Sequence, residues 1–150
     1  MTRITDSESL RTFVFETVER TPVLDMHTHI YPPAFGDLLL WGIDELLTYH
    51  YLVAEFFRYS DMTPEEFFEL DRRKQAALIW GALFVEHSPI SESNRGVLTV
   101  LDKLGLDVAG RDLESFRAYF DGQLVEDYVD RVFEEANVEG VVMTNDPFDD

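Results

Sequence analysis

Two short apolar segments constrain the fold of this 150-residue chain more than any other feature. The first covers residues 22–30 and reads "PVLDMHTHI"; the second covers 138–145 and reads "VEGVVMTN". Both have the length and the β-branched content of buried strands. Because the residues between them are typical of helices, we predict two parallel strands in an α/β fold.

The intervening sequence, over 43–137, carries helical periodicity and helix-capping signals. We predict helices over 43–60, 63–87, 91–106, 112–120 and 124–137, after an N-terminal helix over 7–20. Thr63 and Glu66 have the spacing of a capping box. Asp6 or Ser7, Ser91 and Asp112 are predicted to cap the helices that follow them. A sheet of two parallel strands is not stable alone, and an α/β barrel takes about 250 residues. We therefore interpret residues 1–150 as the N-terminal portion of one larger α/β domain, with a large helical insertion after strand 1.

Composition excludes several classes of partner. The chain has 30 acidic and 12 basic residues and a formal net charge of −18. That charge argues against nucleic acid and against an anionic membrane surface, since both need a basic footprint. The sequence has no cysteine and shows neither a secretory signal nor an apolar run of membrane-spanning length. We expect a soluble cytoplasmic protein; a locally basic pocket for a small anionic substrate remains compatible with the charge.

Two histidines end the first predicted strand. Residues two apart on a strand share a face, so Asp25, His27 and His29 are predicted to lie together. Two neutral imidazoles can bind one zinc ion at about 2.0–2.1 Å, and Asp25 can orient an imidazole by accepting its second N–H. The alternative is a pair of hydrogen-bonded core histidines without metal. Catalytic zinc sites use about three protein ligands, and the sequence places neither of the other histidines, His50 and His87, to complete such a site.

The strand end resembles the first-strand motif of the amidohydrolase superfamily, and within it the uronate (glucuronate) isomerase family. Two further segments are similar to that family. "YHYLVAEFFR", Tyr49 to Arg58, resembles its "DHYKWRAMR" stretch, and "VVMTNDPFDD", Val141 to Asp150, resembles its second strand. The chain departs from the family at Leu52, Val53 and Ala54, where the family has Lys-Trp-Arg, and at Asn145, where the family has aspartate.

The resemblance implies a fold, a reaction and a set of site residues. It implies a metal-dependent (β/α)8 TIM barrel that interconverts D-glucuronate and D-fructuronate through an enediol. His27 and His29 would bind a divalent metal, with zinc favoured. His50 and Tyr51 would contact the sugar acid and take part in catalysis, and Arg58 would bind its carboxylate.

Two alternatives stay open at this point. A metal-dependent hydrolase of the same superfamily would use the same two histidines to activate water. A non-catalytic helical fragment or interaction module would use none of these residues chemically, and His50 and Tyr51 would then be ordinary packing residues. Self-association into a homo-oligomer is compatible with any of these interpretations.

Overall fold

The computed structural model describes residues 4–28 and 41–144. The chain forms two compact units. Residues 1–39 and 124–150 make up the first, which contains both strands and is called the strand unit. Residues 40–123 make up the second, which is called the helical unit.

The described residues of the strand unit form two helices and two strands. Its helices are α1 (Ser7–Arg20) and α8 (Val125–Glu135), and its strands are β1 (Val23–Thr28) and β2 (Val138–Met143). Asp6 begins α1 by accepting a hydrogen bond from the Ser9 amide at 2.8 Å, and the Ser9 hydroxyl accepts one from the Asp6 amide. Hydrogen bonds from the Ser9 amide and the Ser9 side chain to the Asp6 carboxylate lower the pKa of Asp6, because they stabilise its ionised form. The sequence-based prediction of a helix over 7–20 is confirmed.

The two strands pair in parallel, as the sequence predicted. Val23 pairs with Val138 at one end, and at the other the Thr144 amide donates to the Thr28 carbonyl at 2.9 Å. Asn137 precedes β2 in a left-handed conformation with φ 51°, and its side-chain amide donates to the Glu19 carbonyl at 3.2 Å. That bond ties the start of β2 to the end of α1. Residues 29, 30 and 145, which the sequence placed at the strand ends, lie outside the described residues.

The described residues of the strand unit include no buried side chain. Apolar residues of α1 are about half exposed, from Phe13 at 45% to Val18 at 68%. Parallel strands in proteins are normally covered on both faces. The strand unit therefore presents apolar surface on its helices and on its sheet.

The helical unit is built from short helices. They are α2 (Ile43–Leu47), α3 (His50–Phe56), α4 (Pro64–Phe68), α5 (Arg72–Trp80), α6 (Glu92–Lys103) and α7 (Leu113–Asp121), with a π-helix over Gly81–Glu86 and a 3₁₀ turn over Val108–Gly110. The predicted capping residues are confirmed: Thr63 and Glu66 form a capping box, and Ser91 and Asp112 accept amide hydrogen bonds at the starts of α6 and α7.

A hydrophobic core holds these helices together. Its fully buried members include Leu47, Phe67, Ile79, Phe84 and Leu101. Trp80 stacks on Phe84 with ring centroids 4.6 Å apart and meets the edge-on ring of Phe116 at 5.4 Å. The helical unit thus has a buried core, whereas residues 4–28 and 124–144 of the strand unit bury no side chain.

A buried arginine connects three of the helices. Arg117 of α7 is 6% exposed and pairs with Asp44 of α2, with a shortest distance of 2.7 Å from Nη2 to Oδ1. Nη2 also donates to the Arg73 carbonyl of α5 at 2.7 Å, and Nη1 pairs with Glu114. Burial by itself would lower the pKa of Arg117, but the bonds to Asp44 and Glu114 outweigh it and raise that pKa. The guanidinium therefore stays charged.

The sequence predicted single long helices over 43–60 and 63–87, and both predictions are wrong. The segment 43–60 divides at Thr48 and Tyr49, where the Thr48 hydroxyl donates to the Asp44 carbonyl at 2.7 Å and Tyr49 is extended with ψ 141°. The segment 63–87 divides at Asp71, which begins α5, and Gln75 donates to the carbonyls of Phe67 and Leu70 at the end of α4. Side-chain bonds to backbone groups end both helices early.

Across the described parts of the chain, no helix combines the length and the apolar character that crossing a membrane requires.

Candidate functional site

His27 lies near the carboxyl end of β1, in the strand unit. It is exposed, and its backbone amide donates to Asp25 Oδ1 at 3.0 Å. The Asp25 carboxylate therefore binds the backbone two residues further along the strand. An accessible imidazole at a strand end is chemically suited to binding a metal.

The strand ladder is irregular where the histidines lie. Between Asp25 and Thr28, β1 advances three residues while β2 advances two, from Val141 to Met143. Asp25 and Thr28, three residues apart, are the half-buried members of β1, so burial does not alternate with a period of two. An irregularity of this kind changes the direction of nearby side chains. His29 lies outside the described residues, and its shared face with His27 stays a prediction.

Three aromatic rings form a cluster at the start of α3, in the helical unit. The ring of His50 lies 4.2 Å from the rings of both Tyr49 and Tyr51, and the two tyrosine rings are 5.5 Å apart. Tyr51 is 61% exposed and Tyr49 is 45% exposed. The break between α2 and α3 puts His50 in the first turn of a helix, and not in the interior of the continuous helix predicted over 43–60. The cluster presents two phenols and an imidazole to solvent, which are donors suited to sugar hydroxyls.

Arg58 lies two residues after the end of α3. Its amide donates to the Glu55 carbonyl at 3.0 Å, and its side chain is exposed. Within the described residues, its guanidinium is in no ion pair. A free guanidinium is suited to binding a carboxylate in a bidentate manner.

The fourth histidine, His87, has a structural position. It follows the π-helix, and its Nδ1 lies 2.8 Å from the Ala82 carbonyl oxygen. Because a carbonyl only accepts, Nδ1 carries the proton and donates. The imidazole also contacts the Tyr59 ring at 4.2 Å. His87 therefore lies at the end of the helix.

No group of three or more histidine, aspartate or glutamate side chains within 4–28 and 41–144 could hold a metal ion. Of the predicted ligands, His27 is in this range and His29 is not. The donor that the structure describes, an exposed imidazole at a strand end, fits a zinc ligand. The ligand pair itself remains a prediction.

Sequence reasoning missed two residues beside the candidate site. Tyr49 was treated as the interior of a helix, whereas it is the extended residue before α3 and contacts His50. Glu55 gave no signal at all, because its partners Ser91 and Asn94 lie 36 and 39 residues away. The Tyr-His-Tyr run was the available signal for Tyr49.

The chain is of the α/β class. In its described residues, the helical unit lies in sequence between two parallel strands, and it carries the exposed residues His50, Tyr51 and Arg58. No family model matches this chain, and no curated protein matches it. A solved structure does: a uronate isomerase from Bacillus halodurans C-125, with 55% sequence identity and a TM-score of 0.95. The match covers 99% of this chain and 35% of the Bacillus chain.

The chain belongs to the uronate isomerase family and corresponds to its N-terminal portion. It spans about a third of the length of its solved relative. It shares the fold of the matched part of that enzyme.

Proposed function

We propose that this chain forms the N-terminal part of a metal-dependent (β/α)8 barrel that isomerises D-glucuronate to D-fructuronate. One observation supports the proposal above all: the 55% identity and 0.95 TM-score over 99% of the chain to a uronate isomerase. The exposed His50, Tyr51 and Arg58 are available for a polar, anionic substrate. The remaining strands and catalytic groups lie beyond residue 150 in this proposal.

The reaction is an internal redox exchange between two carbons. The C2 proton leaves to a base, and O1 of the aldehyde gains a proton, giving the enediol. C1 then gains a proton while the O2 hydroxyl loses one, so C1 becomes a hydroxymethyl group and C2 a ketone. Atoms and electrons balance without an external oxidant or reductant. The protein must therefore move protons and stabilise developing charge on the two oxygens.

Each residue has a task in this scheme. Tyr51 donates a hydrogen bond, or shuttles a proton, at the substrate oxygens, and His50 orients the substrate by donating to a hydroxyl. Arg58 binds the carboxylate at the other end of the sugar acid. His27 and His29 would hold the divalent metal, with zinc favoured, and a bound metal would polarise the carbonyl or hold the adjacent hydroxyl.

A chimera tests the proposal on these residues. In it, this chain replaces the matched segment of the Bacillus halodurans enzyme, and conversion of D-glucuronate is followed by NMR. We expect turnover by the chimera, and about a 10²-fold lower kcat with little change in KM for Tyr51→Phe, because general acid–base groups contribute about 10²–10⁴-fold. Tyr59→Phe is the control; Tyr59 contacts His87 outside the cluster, so its activity should match the unmodified chimera.

Two results would contradict the proposal. An inactive but folded chimera, beside an active parent enzyme, would exclude isomerisation by this chain's residues. Hydrolysis of amide, ester or lactone substrates without glucuronate turnover would assign the chain to a metal-dependent hydrolase. An unchanged Tyr51→Phe variant would remove the role of Tyr51 alone.

A further inference from the structure

The carboxylate of Glu55 is held by two residues of a different helix. The Ser91 hydroxyl donates to Glu55 Oε2 at 2.7 Å, and the Asn94 side-chain amide donates to Oε1 at 3.0 Å. Ser91 is the residue before α6 and also accepts from the Asn94 amide at 3.1 Å. Asn94 is 1% exposed. Both carboxylate oxygens of Glu55 are therefore occupied, in a partly buried position between α3 and α6.

Arg58 lies one turn beyond Glu55 but does not pair with it. The Arg58 amide donates to the Glu55 carbonyl at 3.0 Å, so the two side chains start from adjacent points on the backbone. Opposite charges three residues apart on a helical turn ordinarily attract each other. Here no ion pair to Arg58 exists among the residues that the structure describes. The Glu55 carboxylate is directed to α6 instead.

We infer that Glu55 is a positioning residue that keeps Arg58 available for the carboxylate of the substrate. By binding Glu55, Ser91 and Asn94 hold the last turn of α3 in place. They also keep the negative charge of Glu55 away from the Arg58 guanidinium. The identity of the anion, a sugar acid, rests on the proposed function; the withholding of Glu55 from Arg58 does not. Ser91 and Asn94 thus set the anion affinity of a residue that they do not contact.

We predict that anion binding by Arg58 is weakened in one variant and restored when a second change is added. Removing Ser91 and Asn94 as donors frees the Glu55 carboxylate, which then pairs with Arg58 and competes with the ligand. Making Glu55 neutral in the same background ends that competition. If the three residues had a purely structural role, Glu55→Gln would bring no recovery, because the hydrogen-bond network would already be disrupted.

The first test uses the 150-residue chain and needs no activity. The variant Ser91→Gly, Asn94→Leu removes both donors, and glycine remains acceptable before a helix. Arg58 is modified with phenylglyoxal, which reacts with free guanidinium, and the rate is followed by mass spectrometry. We expect modification to slow about twofold in the double variant, the size of a helical ion pair, and to recover when Glu55→Gln is added.

Asp61 provides the matched control, since it lies three residues from Arg58 on the other side and is exposed. Adding Asp61→Asn instead of Glu55→Gln should leave the slower rate unchanged. Circular dichroism checks the fold, and if the double variant does not fold, Ser91→Gly alone takes its place. No slowing in a folded variant, or no recovery with Glu55→Gln, overturns the inference.

The second test measures the ligand itself in the chimera. KM for D-glucuronate should rise about twofold in the double variant and return to the starting value with Glu55→Gln, while kcat changes less. An inactive unmodified chimera contradicts the proposed function alone, and the labelling result then decides the inference. Normal turnover with a KM that Glu55→Gln does not restore contradicts the inference alone.

Discussion

The buried residue Arg117 carries a charge that connects three helices of the helical unit. Arg117 is 6% exposed and donates to Asp44, to Glu114 and to the Arg73 carbonyl, so it joins α2, α5 and α7. Removing one partner of a buried pair is costly because the other charge is left uncompensated. This pair was not predictable from local sequence patterns, since Asp44 and Arg117 are 73 positions apart.

We predict that Arg117→Met destabilises the helical unit by about 3 kcal/mol, from the loss of a buried ion pair that leaves Asp44 unmatched. The measurement is chemical unfolding followed by circular dichroism. Arg95→Met is the control: Arg95 is exposed on α6, and its variant should stay within about 0.5 kcal/mol of the original chain. Equal stabilities for the two variants would show that the buried pair contributes nothing net.

In the candidate site, too, features that depend on neighbouring residues were predictable from the sequence, and features that depend on distant residues were not. The sequence can predict that His27 lies at the end of a strand and that Tyr51 is exposed, because both features depend on neighbouring residues. The bonds from Ser91 and Asn94 to Glu55 depend on how α6 packs against α3, which no local pattern encodes. The irregular ladder beside His27 depends on pairing with β2, more than 100 residues later.

At the scale of elements, helix starts were predictable and helix ends were less so. Asp6, Thr63, Ser91 and Asp112 each cap a helix at the position that the sequence indicated. Capping depends on a residue and the amides two or three positions later, so it is visible in sequence. The breaks at Thr48 and Asp71 replaced two long helices by four, because side-chain bonds to backbone groups competed with helix continuation.

The N-terminal helix α1 supplies a prediction of its own. Val14 and Val18, one turn apart, are 50% and 68% exposed on an apolar face. Exposed apolar faces of this kind drive association. We expect the 150-residue chain alone to elute in size-exclusion chromatography above its monomer mass of 17.4 kDa, and Val14→Lys with Val18→Lys to shift it toward the monomer.

Glu8→Lys is the control for that experiment, because it adds a positive charge to α1 at a position that is already polar and exposed. Its elution should match that of the unmodified chain. A monomeric unmodified chain, or association that both variants reduce equally, would contradict the contribution of the α1 face.

Over the whole molecule, burial differs between the two units of the chain. The helical unit buries aromatic and aliphatic side chains, whereas the described residues of the strand unit bury none. The order of strands and helices predicted an α/β chain, and its parallel strand pair is confirmed. Three motifs in the sequence predicted the family, but two strands are too few to predict a barrel of eight.

The proposed chemistry depends on His27 and His29 holding one divalent ion, and the metal content of the chimera measures whether they do. Metal is measured by mass spectrometry after gel filtration of the chimera, of its His27→Ala and His29→Ala variants, and of His87→Ala as the control. We predict about one equivalent of zinc per chain in the chimera and the control, and loss of most of it in the other two variants, because each removes a ligand. A His27→Ala variant that is folded and retains its full metal content would contradict the account.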